Sequence, residues 1–392
     1  MRAFWRAVAL LALAIPLTIP QQVAAQAVWT DPLVPGPTNG GLFPTFFEAY
    51  GQRHAYQLAA APVGTVVLIH GCGRVANSFW PYDPVNCPQC EGLPEHVAQT
   101  KQALALGYSV LALSPNDAGS RCWSSSTRDG RTDDRIGVAD TVYSFQQNNS
   151  LLELPLFFHA FSSGGTMSLK LPTFLHQQAE GPAKQLRIDG IVSVDAAPSG
   201  GTGATDDNGK LVVPYHPPVL HVVMEKGKSR QRAPALIQAL QDNGVPADLV
   251  VSYSRQVGPS FFSDRIPTMP LEQSEALVAA LRQIGQLDEA GYLQFNPDRS
   301  PWADGVLGLL PWLGPQMLSI QQEMRVIWGE HENLGDFTTA SLAWLEAGGK
   351  ADLPTLLREL TVDRLAELTV GGGEAFFGVA SVDAPAPAPA QA

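Results

Sequence analysis

Short apolar runs alternate along the chain with stretches whose apolar residues have helical spacing. The runs TVVLIH and YSVLAL, at residues 65–70 and 108–113, have the continuous aliphatic character of strands buried on both faces of a parallel sheet. Similar runs predict strands at residues 154–161, 188–194, 219–224, 249–253 and 324–328. Spacing and stop signals predict helices at residues 93–106, 136–147, 166 onward with a kink or end at Pro172, 233–243, 272–284 and 336–346. This alternation predicts a mostly parallel sheet with helices on both faces.

The first residues have the pattern of an export signal. Arg2 and Arg6 form a positive start, and residues 7–20 form an apolar stretch that is too short and too proline-broken to span a bilayer. Small residues follow and end at Ala27, so we predict a signal peptide over residues 1–27. An uncleaved anchor is the alternative. The mature protein is expected to be secreted or periplasmic, without stable membrane insertion.

Composition and charge narrow the remaining possibilities. A hydrophobic fraction of 45% and a charged fraction of 16% are typical of a globular protein with a sizeable core. We assign a single globular domain to residues 28–372. The Pro/Ala-rich residues 373–392 cannot bury a core and are expected to be disordered. The net charge of −12 argues against a nucleic-acid partner, because neutralising phosphates requires a basic face.

Four cysteines fit the predicted compartment: Cys72, Cys87, Cys90 and Cys122. An even number in an exported chain favours disulfides. A zinc site and a redox-active CxxC centre are the alternatives, although no thioredoxin-like context surrounds the CxxC. We predict the pairs Cys87–Cys90 and Cys72–Cys122, because this pairing needs no distant loop to cross the sheet.

A serine-rich turn lies between the predicted strand 154–161 and the helix that follows it. In a nucleophile elbow, the tight turn requires small residues two positions before and two after the nucleophile. Counting from Ser162 places Ala160 and Gly164 at these positions, whereas counting from Ser163 would place the bulky Phe161 there. We therefore predict Ser162 as the nucleophile. A plain strand-to-helix turn is the alternative.

An elbow of this kind needs two backbone N–H groups for an oxyanion. The N–H of Ser163 directly follows the nucleophile. The second donor is expected from the glycine-rich loop after the strand 65–70, from Cys72 or Gly73. His70 at the start of that loop is interpreted as a structural brace of the turn.

The general base is expected after the last strand, because in enzymes with a nucleophile elbow the catalytic residues follow one another along the chain as serine, acid and histidine. His331 follows the run MRVIW at residues 324–328 and precedes the last predicted helix. The other histidines after Ser162 lie inside a helix, inside a strand or before a strand: His176, His221 and His216. A histidine of a surface loop is the alternative for His331.

The acid of the triad is left open between two carboxylates. Glu225 follows the strand 219–224, at the usual place for the acid, but Lys226 and Lys228 flank it and favour a solvated side chain. Asp195 directly follows the strand 188–194. The end of this strand is the other position at which enzymes with a nucleophile elbow carry the acid. We favour Asp195 slightly.

The segments HGC, CPQCEGLPE, LGYSVLALS, RCWS, FSSGG, FFSDRIP, LDEAGYL and WGEHE together resemble a little-characterised group of α/β-hydrolase-fold proteins with plant and microbial members. The likeness covers most of residues 65–346 and implies the α/β-hydrolase fold and the pairing of Ser162 with His331. Members of the group carry an Asp in an MPKD segment, which corresponds to residues 224–227 here. Gly227 would replace that acid, which calls the complete triad into question.

These features predict a secreted serine hydrolase, a carboxylesterase that forms an acyl-enzyme on Ser162 and acts on a small-molecule or lipid-like ester. No metal or organic cofactor is implied. Aromatic residues in the segment 258–315 either roof an apolar acyl pocket or belong to ordinary core packing: Phe261, Phe262, Trp302 and Trp312. The alternative function is a non-catalytic exported binding or structural protein that retains the fold.

Overall fold

The computed structural model describes residues 28–29, 41–127, 132–177, 181–213 and 215–370. The predicted signal peptide and the predicted Pro/Ala-rich tail lie outside these ranges. Within them, one mixed sheet of nine strands forms the centre of the protein. In chain order the strands are β1 Val28–Trp29, β2 Thr45–Ala49, β3 Gln52–Gln57, β4 Gly64–Ile69, β5 Tyr108–Leu113, β6 Leu156–Phe161, β7 Gly190–Val194, β8 Val219–Met224 and β9 Ala247–Ser252.

The strand order across the sheet is β1-β2-β3-β5-β4-β6-β7-β8-β9. From β5 to β9 every neighbouring pair is parallel, whereas β1, β2 and β3 add to the edge as antiparallel strands. With helices on both faces and a tight strand–turn–helix after the central strand β6, this is the α/β-hydrolase fold. The predicted fold class is confirmed.

The helices, in chain order, are α1 Pro94–Ala105, α2 Asp134–Asn148, α3 Ser163–Leu169, α4 Leu171–Gln177, α5 Lys228–Gln241, α6 Phe261–Arg265, α7 Leu271–Gln283, α8 Trp302–Leu309, α9 Met317–Trp328, α10 Thr338–Glu346 and α11 Leu353–Leu360. The predicted interruption near Pro172 is present, since α3 ends and α4 begins on either side of Lys170. Among the described residues, no helix is both long enough and apolar enough to cross a bilayer.

The central strands are buried on both faces, as their continuous apolar sequences predict. Along β4, Val67 and Ile69 pack into a core with α2, α3, α4 and α5. The alternate residues Val66 and Leu68 pack into a second core with α1 and α10. The period of two along a strand therefore divides the apolar side chains between the two helical layers.

One predicted strand is wrong. Residues 324–328 are not a strand but the last turns of α9. Within α9, Ile320, Met324 and Ile327 lie at helical spacing and pack into a third apolar core with α6, α7 and α8. Val326 points into another core, so the helix end is apolar on more than one side and its sequence resembles a buried strand.

The antiparallel strands β1, β2 and β3 were not predicted. The turn between β2 and β3 has two residues, Tyr50 and Gly51, and both have positive φ values of 52° and 69°. Such a turn usually carries Asn-Gly or Asp-Gly. Tyr-Gly lacks that signal, and the hairpin is therefore hard to recognise in the sequence.

Both predicted disulfides are present. Cys87 bonds to Cys90 within the loop between β4 and α1. Cys72 bonds to Cys122, which links the loop after β4 to the loop after β5. Neither a zinc site nor a free CxxC centre is consistent with these bonds, because they use all four cysteines.

Candidate active site

Ser162 occupies the turn between β6 and α3. Its φ of 55° and ψ of −119° lie outside the regions that most residues adopt, and its N–H donates to the carbonyl of Val194 at 3.0 Å. A Cβ at Gly164 would lie 2.6 Å from the carbonyl oxygen of His70, and a Cβ at Gly165 would lie 2.6 Å from the Cβ of Ala196. The turn is therefore packed so tightly that both positions require glycine.

His331 lies beside this serine. Its Nε2 is 2.9 Å from Ser162 Oγ, and its Nδ1 hydrogen-bonds to Oδ2 of Asp195. When Nδ1 carries the proton and donates to Asp195, Nε2 is free to accept the proton of Ser162. The ring also packs against Phe161, with 5.0 Å between ring centroids.

The environment of His331 favours its protonated form. Burial alone would lower the pKa of His331, but the hydrogen bond to Asp195 and the charges of Asp195 and Glu332 outweigh burial. The net result is a raised pKa. The side chain of Asp195 is 1% exposed and that of His331 is 52% exposed, so the carboxylate is shielded while the imidazole reaches the surface.

Of the two candidate acids, the structure brings only Asp195 to His331. The Oε2 of Glu225 accepts hydrogen bonds from the N–H of Ser254 at 3.1 Å and from its hydroxyl at 3.0 Å. Asp195 follows β7 with a φ of 42°, a conformation that Asp tolerates better than most residues, and its N–H donates to Val222. A Cβ at Gly227 would lie 2.7 Å from Asp195 Oδ1. The carboxylate of Asp195 thus fills the space of a side chain at position 227.

The backbone N–H groups predicted as oxyanion donors differ in whether another group in the protein already accepts their hydrogen bond. Ser163 is the first residue of α3, where N–H groups have no partner within the helix. The N–H of Gly73 donates to the carbonyl of Ser120 at 3.0 Å and is already engaged. Of the two amides considered for the second donor, Cys72 therefore remains.

The loop that carries Cys72 packs directly against the elbow. A Cβ at Gly71 would lie 2.7 Å from the ring of Phe161 and 3.0 Å from the Cβ of Ser162. The Sγ of Cys72 is 3.4 Å from Ser163 Oγ, and this hydroxyl oxygen accepts a hydrogen bond from the N–H of Trp123 at 3.2 Å. The Cys72–Cys122 bond consequently joins the two loops that border the turn.

His70 is placed as a brace of this loop. It is fully buried, its Nδ1 lies 2.6 Å from the carbonyl oxygen of Gly71, and burial lowers its pKa to about 4. A neutral imidazole that holds the turn agrees with the structural interpretation of this residue.

A cleft of about 650 Å³ opens onto Ser162 and His331. Its walls are the first turns of α3, the loop at residues 195–200, the start of α5 and Glu330. Three of its side chains are cationic and were not recognised as site residues from the sequence: Lys170, Lys228 and Arg232. For Lys228 and Arg232 the sequence carried a signal, because cations are unusual in the first turns of a helix, whereas Lys170 follows the end of α3 and carried none.

Of the two interpretations of the aromatic segment 258–315, the structure does not support a roof over this cleft. The cleft contains no residue of the segment 258–315. Phe262 and Trp302 are buried in the third apolar core, and Trp312 is 45% exposed. Ordinary core packing, the alternative considered for these aromatics, accounts for the two buried ones.

The part of the chain that the structure describes contains no group of three or more His, Cys, Asp or Glu side chains that could hold a metal ion.

No protein-family model matches the chain, and no curated protein matches it. Solved structures similar to parts of it include an α/β serine hydrolase homologue from Coxiella burnetii, with 12% identity, a TM-score of 0.33, and 54% of this chain and 86% of that chain covered. An esterase/lipase from an uncultured bacterium has 13% identity and a TM-score of 0.36, covering 59% and 80%. A carboxylesterase from Mesorhizobium loti has 14% identity and a TM-score of 0.35, covering 53% and 89%. At these identities no reaction or substrate is carried over to this chain.

Proposed function

We propose that the protein is a serine hydrolase that cleaves carboxylic esters through an acyl-enzyme on Ser162. The observation that carries this proposal is the continuous hydrogen-bonded chain from Ser162 through His331 to the buried Asp195, at a strained turn that opens into a cleft. A nucleophile, a base and a residue that orients the base are the parts that acyl transfer requires.

In the first half of the reaction, His331 Nε2 takes the proton of the Ser162 hydroxyl as Oγ attacks the ester carbon. The negative charge moves to the carbonyl oxygen, where the N–H groups of Ser163 and Cys72 would donate hydrogen bonds. His331 then gives its proton to the leaving alcohol, and the carbon–oxygen bond of the ester breaks to leave the acyl group on Ser162.

In the second half, a water molecule replaces the alcohol. His331 takes a proton from this water, which attacks the acyl carbon, and the proton returns to Ser162 as the acid is released. Throughout, Asp195 holds the imidazole with Nδ1 protonated and stabilises its cationic form.

We also propose that the protein works outside the cytoplasm, after removal of residues 1–27. Two disulfides support this location, because such bonds persist in oxidising compartments. A non-catalytic role was suggested by the glycine at position 227. The catalytic role is supported by the Asp195 carboxylate, which lies beside Gly227 and bonds to His331.

The test is active-site labelling with a fluorophosphonate, which reacts only with an activated serine. We expect wild type to be labelled, Ser162→Ala to be unlabelled, and the control Ser263→Ala, whose hydroxyl bonds to the Ser260 carbonyl at 2.8 Å, to be labelled like wild type. Hydrolysis of p-nitrophenyl esters of increasing chain length then measures acyl preference. A folded wild-type protein that is neither labelled nor active on any ester would overturn the proposal.

A further inference from the structure

The cleft beside Ser162 collects positive charge in a chain whose net charge is −12. Lys170 directly follows α3. Thr166 lies four residues and Ser162 eight residues before it, so the three residues fall on the same side of that helix. Lys228 and Arg232 lie one turn apart at the start of α5. In the described ranges, none of these three cations forms an ion pair with a carboxylate.

This arrangement is unfavourable for the folded protein alone. The N-terminus of a helix carries partial positive charge and favours acidic residues, yet α5 begins with Lys228 and has no acidic residue in its first turn. Lys170 is partly buried, and burial together with the charge of Arg135 lowers its pKa. Cations placed against these preferences point to a ligand that offsets the repulsion.

The carboxylates at the cleft are engaged elsewhere. Asp195 bonds to His331. Glu330 accepts hydrogen bonds from Asn296 and from the indole N–H of Trp328 and lies 3.8 Å from Arg299. Neither forms an ion pair with the three cations, which leaves them available to a negatively charged substrate group.

We infer that the cleft binds an anionic group of the ester substrate, a carboxylate or a phosphate, through Lys170, Lys228 and Arg232. This inference rests on the proposed function and narrows its substrate class. Both anions share the charge and the acceptor oxygens that ammonium and guanidinium groups recognise. An uncharged lipid-like ester would leave the three cations without a counterion and is expected to be the poorer substrate.

The test compares esters that differ in charge but share their length. We would measure kcat/KM of the full-length protein for the p-nitrophenyl monoesters of succinate, glutarate and adipate against uncharged p-nitrophenyl alkanoates of equal chain length. The phosphate arm compares phenyl acetate with and without a phosphate on the ring. We expect at least one anionic ester to be preferred about tenfold or more, the range expected for hydrogen bonds to charged groups. The carboxylate and phosphate arms separate the two sources of the anion.

The double variant Lys228→Gln/Arg232→Gln should remove this preference, so that the ratio of kcat/KM for anionic and uncharged esters falls about tenfold. The matched control is Arg230→Gln, which removes a cation from the same turns of α5 without lining the cleft. Arg230→Gln should keep the wild-type ratio. An equal ratio in wild type and the double variant overturns the inference while leaving the proposed hydrolase intact.

Binding gives a readout that does not depend on turnover. Glutarate or inorganic phosphate should raise the thermal midpoint of wild type and of Arg230→Gln but not that of the double variant. If no ester is hydrolysed, the proposed function fails and this shift alone decides the anion subsite. Equal shifts in all three proteins, or none in wild type, would contradict it.

Discussion

The carboxylate of Asp195 and a side chain at Gly227 exclude each other, since a Cβ at position 227 would lie 2.7 Å from Asp195 Oδ1. The two residues follow neighbouring parallel strands, β7 and β8, whose carboxyl ends meet at one edge of the sheet. Either strand end can therefore deliver an acid to the same imidazole, but only one of them at a time. An acid at position 195 therefore requires that position 227 have no side chain, which glycine provides.

Gly227→Ala is the most direct test of this relationship. Gly227 has an ordinary φ of −73°, so alanine meets no conformational penalty and acts only through its methyl group. That methyl group would press on Asp195 and on the carbonyl oxygen of Glu330, 2.6 Å away, and would shift the neighbouring His331. We expect esterase kcat to fall about a hundredfold or more, because small displacements of catalytic groups have effects of this size.

The control for this substitution is Gly258→Ala, since a Cβ there has no neighbour within 4 Å and the φ is unstrained. It should retain wild-type activity and thermal stability. Wild-type activity in Gly227→Ala would show that the crowding has no bearing on the site.

Asp195→Asn should abolish most activity, whereas Glu225→Gln should change it less than about threefold. Asn keeps the shape of Asp and also tolerates the positive φ of 42°, so the change isolates the charge. Loss of the acid in a complete triad lowers kcat about 10⁴-fold. Steady-state kinetics on one p-nitrophenyl ester, with circular dichroism to verify folding, makes the comparison. A larger loss in Glu225→Gln would reverse the assignment.

The sequence predicts the parallel part of the sheet well, because each strand from β4 to β8 is a short apolar run that is buried on both sides. The edge strand β9 is only partly buried, but its run of Leu249, Val250 and Val251 is still apolar. It fails at residues 324–328, where the end of α9 is apolar on two sides and has the composition of a strand. It also misses the hairpin of β2 and β3, whose Tyr-Gly turn lacks the usual residues.

In the candidate site too, residues with a local sequence signal could be predicted, whereas those that depend on contacts between distant segments could not. Ser162 is recognisable because the elbow dictates small neighbours, and His331 because chain order places the base late, even though a helix precedes it. The choice between Asp195 and Glu225 depends on which strand end faces the imidazole, which no local pattern encodes. The engagement of the Gly73 amide by Ser120 depends equally on a contact between distant loops.

The pH profile should report the raised pKa of His331. The base acts in its neutral form, so the rate is full above the pKa and falls as pH decreases through it. Because Asp195 and Glu332 raise this pKa, the inflection of kcat/KM is expected above the ordinary value of about 6.5. In Asp195→Asn the residual rate should show its inflection at lower pH.

His331→Ala should lose nearly all activity without unfolding, and a variant that retained half of the wild-type activity would remove His331 from the mechanism.

The buried Arg265 should be a major determinant of stability. It forms ion pairs with Glu323 at 2.6 Å and Asp336 at 2.7 Å and also contacts Glu95, all at 2% exposure or less. Burial alone would raise the pKa of Asp336, but the neighbouring arginines hold it well below its ordinary value. Arg265→Met would leave the buried carboxylates of Glu95 and Glu323 without a cation and Asp336 with Arg255 alone.

We expect Arg265→Met to lower the free energy of unfolding by about 3–5 kcal/mol. The control is Arg364→Met, which removes ion pairs of an exposed arginine with Asp264 at 3.3 Å and Glu367 at 3.0 Å and should cost about 1 kcal/mol or less. Urea denaturation measures both. Equal effects would mean that the buried cluster is no more important than a surface pair.

The disulfide Cys72–Cys122 should affect activity as well as stability, because it joins the loop of the remaining oxyanion donor to the loop after β5. It closes a sequence separation of 50 residues, for which chain entropy predicts a stabilisation of about 4 kcal/mol. The bond Cys87–Cys90 closes a sequence separation of only 3 residues, so its loss should cost about half as much. Neither of these cysteines lines the cleft. We expect Cys72→Ser/Cys122→Ser to lower kcat more than tenfold at a temperature where it remains folded, as loss of one oxyanion donor does. Cys87→Ser/Cys90→Ser should keep its kcat. If both double variants lose stability but neither loses kcat, the bond between the two loops contributes to folding alone, and the position of Cys72 does not depend on it.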